Sequence, residues 1–422
     1  MVRDPLPVVL WSEIDRMVGA EGVNCLTLAL PIDRQLISLR EVRSCRICSM
    51  RLSWTTESSS CLTVMTLVGL LSAATGLSLA GDGCEVGAGA TGGARTHRPI
   101  RYHYQGVLMQ RVIIAPHMKC NARCAHCCVS SHPKDERHLE DATVVRLIDE
   151  AIASPSIKIV AFTGGEALLR KSFILEQMRR LKRAGKRSTI VSNGFWGITE
   201  ASARGVLLEL ADAGVRTITI SADTFHLPYV PIERVRNILK VRDVAPEIEF
   251  AVNICQSRSE PASKTLDQLE GLLEGVHINS FNITPVGQAE GIASCEITYD
   301  HVSTENLKCP GQVLLFSGDG QVYPCCSLGV INSALSVGDA NELTIEEGAR
   351  RIECNLAFKI MTEEGLGWFV EKLKRNGDER FAEPFPVVDA CHLCSVIFAD
   401  KSRISELRND FEEYKAEYVS ER

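Results

Sequence analysis

At 422 residues, 45% of them hydrophobic and 23% charged, the chain can bury two domain cores and has the composition of an ordinary globular protein. A formal net charge of −7 argues against a nucleic-acid binder that works through a basic field. Seventeen cysteines would suit a secreted disulfide protein, but Met1–Arg16 carries Asp4, Glu13 and Asp15 where an export signal needs an apolar core. The expected location is therefore cytoplasmic, and cysteines clustered at short spacing then point to metal or redox chemistry.

Residues 1–103 are expected to be a poorly structured extension. They end in a glycine-rich, linker-like run, "AGDGCEVGAGATGGARTHRP". Cys45 and Cys48 form a CxxC, but no second pair stands at zinc-finger spacing. Ser58–Gly81 is uncharged and long enough to span a bilayer, yet it is diluted with Ser, Thr and Gly. It is read as part of the extension, and no membrane partner is expected.

From Gln110 apolar strand-like runs recur: "RVIIAPH", "IKIVAFTGG", "RSTIVSNG", "RTITISAD", "EIEFAVNIC" and "INSFNITPVG". Helical patterns separate them, among them "DATVVRLIDEAIAS", "SFILEQMRRLKRAG", "ASARGVLLELADAG" and "IERVRNILKVRD". "HLEDATVV" and "GITEASAR" place capping residues at helix starts, and Gly185 and Gly214 stand where helices should stop. Six such units predict an α/β fold with a parallel sheet, too few for a closed eight-stranded barrel. The expected form is a partial (βα)6 TIM-like barrel over residues 104–300, with functional groups at the C-terminal strand ends. Residues 301–422 form a predicted small α+β domain, beginning with a hairpin around "SGDGQ" and ending in a charged helical tail.

Cys120, Cys124 and Cys127 ("KCNARCAHCC") follow the first predicted strand, in the loop where such a barrel keeps its active site. Three thiolates can grip three corners of a cubane cluster and leave the fourth iron open to a ligand. Lys119 and Arg123 are expected to favour the thiolate forms. A zinc ion with His126 or Cys128 as fourth ligand is the alternative, and Cys128 is expected to point into packing.

The loop resembles the cluster loop of the radical S-adenosylmethionine (SAM) superfamily. The resemblance covers about residues 110–290 and implies a 4Fe–4S cluster on Cys120, Cys124 and Cys127, with SAM chelating the open iron. In that family the residue before the third cysteine is usually aromatic. Here it is His126, whose flat ring can still lie beside an adenine. Gly164, Gly165 and Glu166 in "FTGGEALL" resemble the family's GGE motif, which implies contact with the methionine amino group. Ser192, Asn193 and Ser221 at later strand ends are the implied contacts to ribose and carboxylate. "TPVGQAEG", with Pro285 and Gly287, weakly resembles the segment that backs the adenine. Asp223 and His226 in "SADTFH" are candidate catalytic residues for moving a proton near the substrate, a helix cap being the other reading of Asp223.

Cys309, Gly320, Cys325 and the pair Cys391 and Cys394 resemble the C-terminal auxiliary-cluster domain of the superfamily, in the shorter "twitch" relative of the SPASM form. That implies a second 4Fe–4S cluster, with a structural zinc on the four cysteines as the alternative and Cys326 able to replace Cys325. Taken together, the resemblance implies an enzyme that cleaves SAM reductively to a 5′-deoxyadenosyl radical and abstracts hydrogen from its substrate. The electron donor would be of the flavodoxin or ferredoxin kind. A ribosomally made peptide is the expected substrate, and a small-molecule dehydrogenase of the twitch type the alternative. A non-catalytic iron–sulfur or zinc-binding protein is the reading from another class.

Overall fold

The computed structural model describes residues 109–420, except 312 and 328. The expectations for residues 1–103, Ser58–Gly81 included, lie outside the described residues. Among the described residues no helix is long and apolar enough to cross a membrane.

The predicted alternation is present. Strand β1 (Arg111–Ile114) leads to helix α1 (Asp141–Ala153), β2 (Ile159–Phe162) to α2 (Lys171–Arg183), and β3 (Arg187–Ser192) to α3 (Glu200–Asp212). Then follow β4 (Val215–Ser221), α4 (Ile232–Lys240), β5 (Glu249–Gln256), the short α5 (Ser263–Gln268) and β6 (Val276–Asn282). Strands β1 to β6 are parallel and lie side by side in chain order. The sheet is open, with β6 at one edge, so the protein has the partial TIM-like barrel that six units predict.

Local chemistry explains where these elements begin and end. Thr199 accepts from the Ser202 amide while the Ser202 hydroxyl accepts from the Thr199 amide, a reciprocal cap that starts α3. Gly185 and Gly214 follow α2 and α3 with φ of +73° and +87°, a conformation in which a side chain would be strained. Alternation within the strands sorts side chains between the two faces of the sheet. Ile190, Ile218, Ile220 and Val252 are buried, together with Leu147, Met178, Leu207 and Ile238 from the covering helices. Thr189, Val191, Thr217, Thr219 and Ser221 alternate with them and are only half-buried, as expected of the barrel's inner face.

The C-terminal segment adds to this sheet. After β7 (His301–Val302) come β8 (Leu314–Phe316), β9 (Gln321–Tyr323) and β10 (Gly338–Asp339). Strand β8 runs parallel to β1, with Leu314 opposite Val112, and β9 and β10 extend the sheet antiparallel. The sheet therefore has nine strands in the order β10-β9-β8-β1-β2-β3-β4-β5-β6. All three residues of β8 are buried, and a strand apolar on both faces needs a covered interior position, which the flank of β1 provides. Gly320, with φ of +84°, allows the hairpin to reverse as expected. Helices α6 (Ile345–Glu353), α7 (Leu356–Glu363) and α8 (Leu366–Arg375) follow. Strand β11 (Pro386–Val387) pairs with β7, and α9 (Ala390–Phe398), α10 (Arg403–Glu406) and α11 (Arg408–Ser420) end the chain.

Candidate functional site

The loop after β1 is built backbone against backbone on the end of β2. The amides of Gly165 and Glu166 donate to the carbonyls of His117 and Lys119, both at 3.0 Å. A Cβ at Gly165 would overlap the Met118 and Lys119 carbonyls, and one at Gly164 the His117 carbonyl. The two glycines are thus required by the approach of the cysteine loop itself. Gly287, beyond β6, presses in the same way on the carbonyls of Cys127 and Cys128, and the Gln288 amide donates to the Cys127 carbonyl at 3.0 Å.

Cys120 and Cys124 are buried and packed with Cys127 and Phe225 in one small cluster. Burial pushes the Cys120 thiol up to about 12 and raises Cys127 as well. Lys119 and Arg123 are exposed and do not offset it, so the expected help from these cations is not seen. Buried thiolates here need another source of positive charge, as a metal centre would supply. Their surroundings suit metal-bound sulfur. The Ala122 amide and the Asn193 side-chain amide face Cys120 Sγ at 3.4 and 3.7 Å, and the Ser131 amide faces Cys127 Sγ at 3.3 Å. One potential ligand atom from each of Cys124, His126 and His226 lies within 4.8 Å of the other two. Three cysteines in one loop, two of them with amides turned to their sulfurs, fit a thiolate-bound metal centre. Cys128 is the loop's other thiol, pushed up to about 12 by burial beside Cys127.

Glu166 is 1% exposed and ties β2 to β3. Its carboxyl accepts from the Leu168 amide (3.1 Å), the Ser192 hydroxyl (3.0 Å) and the Asn193 amide (2.7 Å). Burial outweighs these bonds and pushes it up to about 7. The Ser192 hydroxyl also accepts from Trp196 Nε1 and the Gly194 amide, so it is committed to holding Glu166. Its register explains this, since Ser192 has the same parity as Ile190 and so belongs to the buried side of β3. Asn193 accepts from the Phe195 amide and donates to Asn121 Oδ1 at 3.0 Å, which leaves its amide turned toward the cysteine loop. Ser221 keeps the half-buried inner-face position that its alternation predicts.

Asp223, at the end of β4, is 1% exposed and central to a group that the sequence only half revealed. One carboxylate oxygen accepts from His226 Nδ1 at 2.8 Å and from the Phe225 and His226 amides. The other accepts from the Cys255 amide and lies 3.5 Å from His126 Nε2. Burial works to raise Asp223, but its two histidines hold it below the usual range. Burial likewise works to lower His226, and the Asp223 carboxylate overcomes it, taking His226 up to about 10. For His126 burial prevails and the value falls to about 4. The His126 ring rests 5.0 Å from Phe225 and 4.8 Å, edge-on, from His226. Neither His126 as a partner of Asp223 nor Trp196 behind Ser192 was identified from the sequence. A histidine replacing an aromatic residue inside the cysteine loop was the available signal for the first.

The second cysteine set also converges. Cys309 and Cys325 flank the hairpin at its open end, and Cys391 and Cys394 sit one turn apart at the start of α9. Asp389 caps that helix by accepting from the His392 amide at 2.8 Å. The Cys394 thiol interacts electrostatically with Cys325, Cys309 and Cys391, and burial raises all four above an ordinary thiol. Cys326 is exposed, beside Cys325.

Comparison with known proteins agrees with this geometry. Residues 114–267 match the Radical SAM superfamily. The chain is 30% identical over 307 residues to the "Putative peptide biosynthesis protein YydG" of Bacillus subtilis (strain 168), spanning 72% of this chain and 95% of that one. It is 33% identical over 117 residues to a GTP 3′,8-cyclase of Streptomyces coelicolor, covering 26% of this chain and 31% of that one. The solved structure "Native anSMEcpe with bound AdoMet and Cp18Cys peptide" aligns over 73% of this chain and 99% of that one, at 13% identity and a TM-score of 0.43, too distant to inform function. The chain belongs to the Radical SAM superfamily. It is accordingly an enzyme, of a family whose members use SAM and a 4Fe–4S cluster.

Proposed function

We propose that the protein is a peptide maturase whose radical chemistry starts at Cys120, Cys124 and Cys127. The observation that carries this reading is the 30% identity to YydG across 95% of that protein, together with the loop that gathers the three thiols. Bound there, a 4Fe–4S cluster and SAM supply a 5′-deoxyadenosyl radical that takes hydrogen from the substrate. The chain's own residues prepare the place. Gly164 and Gly165 let β2 and the cysteine loop close on each other, and Glu166 fixes that junction to β3. By the family resemblance, this junction is where a methionine ammonium would be received. Asn193 and Ser221 lie at strand ends suited to ribose or carboxylate. Asp223 holds His226 and His126 beside the cysteine loop, where His226 can keep or pass a proton to an atom of the substrate. Cys309, Cys325, Cys391 and Cys394 hold the auxiliary 4Fe–4S cluster, and residues 301–422 are its domain.

The test is anaerobic turnover with short peptides encoded beside the gene and deuterated at Cα and Cβ positions. The reading expects peptide-dependent 5′-deoxyadenosine carrying deuterium, and a changed peptide by mass or chirality. 5′-Deoxyadenosine formed without transfer from any such peptide, but with transfer from a small alcohol or amine, would replace the peptide by a small molecule.

A further inference from the structure

The group around Asp223 has the makings of a second kind of centre. Cys124 Sγ and one nitrogen each of His126 and His226 lie within 4.8 Å of one another. Ligand atoms around a tetrahedral zinc-type ion sit about 3.5 Å apart, so small side-chain rotations would close the set. Two independent features point the group at a cation. His226 has its Nδ1 held at 2.8 Å by a buried carboxylate, the arrangement that orients a metal-binding imidazole through its other nitrogen. His126 has its Nε2 turned to the same Asp223, and its Nδ1 is buried with no hydrogen-bond partner. A buried imidazole nitrogen without a partner is costly unless something binds it. One thiolate, two imidazoles and an open fourth position form a donor set of the zinc or cobalt(II) class.

We propose that, when no cluster is present, Cys124, His126 and His226 hold one divalent cation of the zinc class. The Cys124 thiol gives up its proton on binding, and the ion then withholds Cys124 from the cluster. Zinc and cluster assembly thus compete for one sulfur. An aromatic residue at position 126 would remove the competitor, whereas this chain carries a histidine there.

The experiment titrates the full-length, reduced, metal-free protein with Co(II) alone, reading visible absorption and bound equivalents. His126→Phe should bind one equivalent fewer than wild type, because the auxiliary cysteines take their own ion in both. Asp223→Asn should weaken that equivalent about 10–100-fold by loosening the His226 ring. Cys120→Ala plus Cys127→Ala keeps every proposed ligand, so it should retain the equivalent with one-thiolate absorption. Zinc added before reconstitution should block iron loading of the Cys120–Cys127 loop in wild type and not in His126→Phe. An undiminished Co(II) equivalent in His126→Phe would overturn the proposal, as would its loss from the double cysteine variant. Either result would mean that the loop's cysteines hold the ion unaided. Iron content separates this from the assignment of the loop. If wild type takes up no iron into Cys120, Cys124 and Cys127, the cluster assignment fails, while the Co(II) series still decides the metal site.

Discussion

At Gly165 the identity of one residue decides whether two elements can meet. Any Cβ there overlaps two carbonyls of the cysteine loop, and neither carbonyl is at the end of a flexible side chain. Gly165→Ala should therefore push the loop off β2, costing about 1–3 kcal/mol and lowering iron in the barrel site while circular dichroism stays native. Urea unfolding and iron analysis check both. Glu166 gives a pH prediction. Its carboxyl is raised from 4.5 to about 7, so above pH 4.5 the folded chain keeps a proton that the unfolded chain releases. Its contribution to stability therefore falls as pH rises from about 4.5 to about 7, by roughly 3 kcal/mol in all. Glu166→Gln should flatten that slope in denaturant midpoints measured between pH 5 and 7.5. At this scale the sequence was legible where function is local. Cysteine and GGE spacing could be read directly, whereas the Asp223 pairing with His126 spans almost a hundred residues and leaves no spacing to read.

Among the elements, the six β–α units could be read because period-two and period-3.6 patterns are each satisfied by their own burial. The same alternation carried a signal for Ser192 that its strand-end position obscured. It shares parity with Ile190, on the buried side of β3, and therefore supports Glu166 from behind. The partnership of β8 with β1 was not legible, since three apolar residues cannot specify which edge they will cover. Strand β8 and α9 together fix the second cysteine set, and loss of that set should spare the barrel's thiols. Cys391→Ala plus Cys394→Ala should still form 5′-deoxyadenosine from SAM and fail to turn over peptide. Circular dichroism must show the variant folded, because losing a metal site can unfold a small region. Full product formation by a folded variant would make the auxiliary site dispensable for chemistry.

For the whole molecule, every proposed ligand and every barrel strand lies C-terminal to residue 109. A chain beginning near Tyr104 should fold and cleave SAM with dithionite, and an insoluble product would assign residues 1–103 a structural role. The nine-stranded sheet joins the barrel and the hairpin that carries Cys309 and Cys325, so both cysteine sets are anchored to one framework. That arrangement makes metal content the most direct test of the central claim. Anaerobically reconstituted full-length protein should hold about eight irons, two clusters of four. Replacing Cys120, Cys124 and Cys127 by Ala should leave about four and abolish SAM cleavage. No iron uptake by wild type reconstituted in the absence of zinc, or undiminished SAM cleavage by the triple variant, would contradict it.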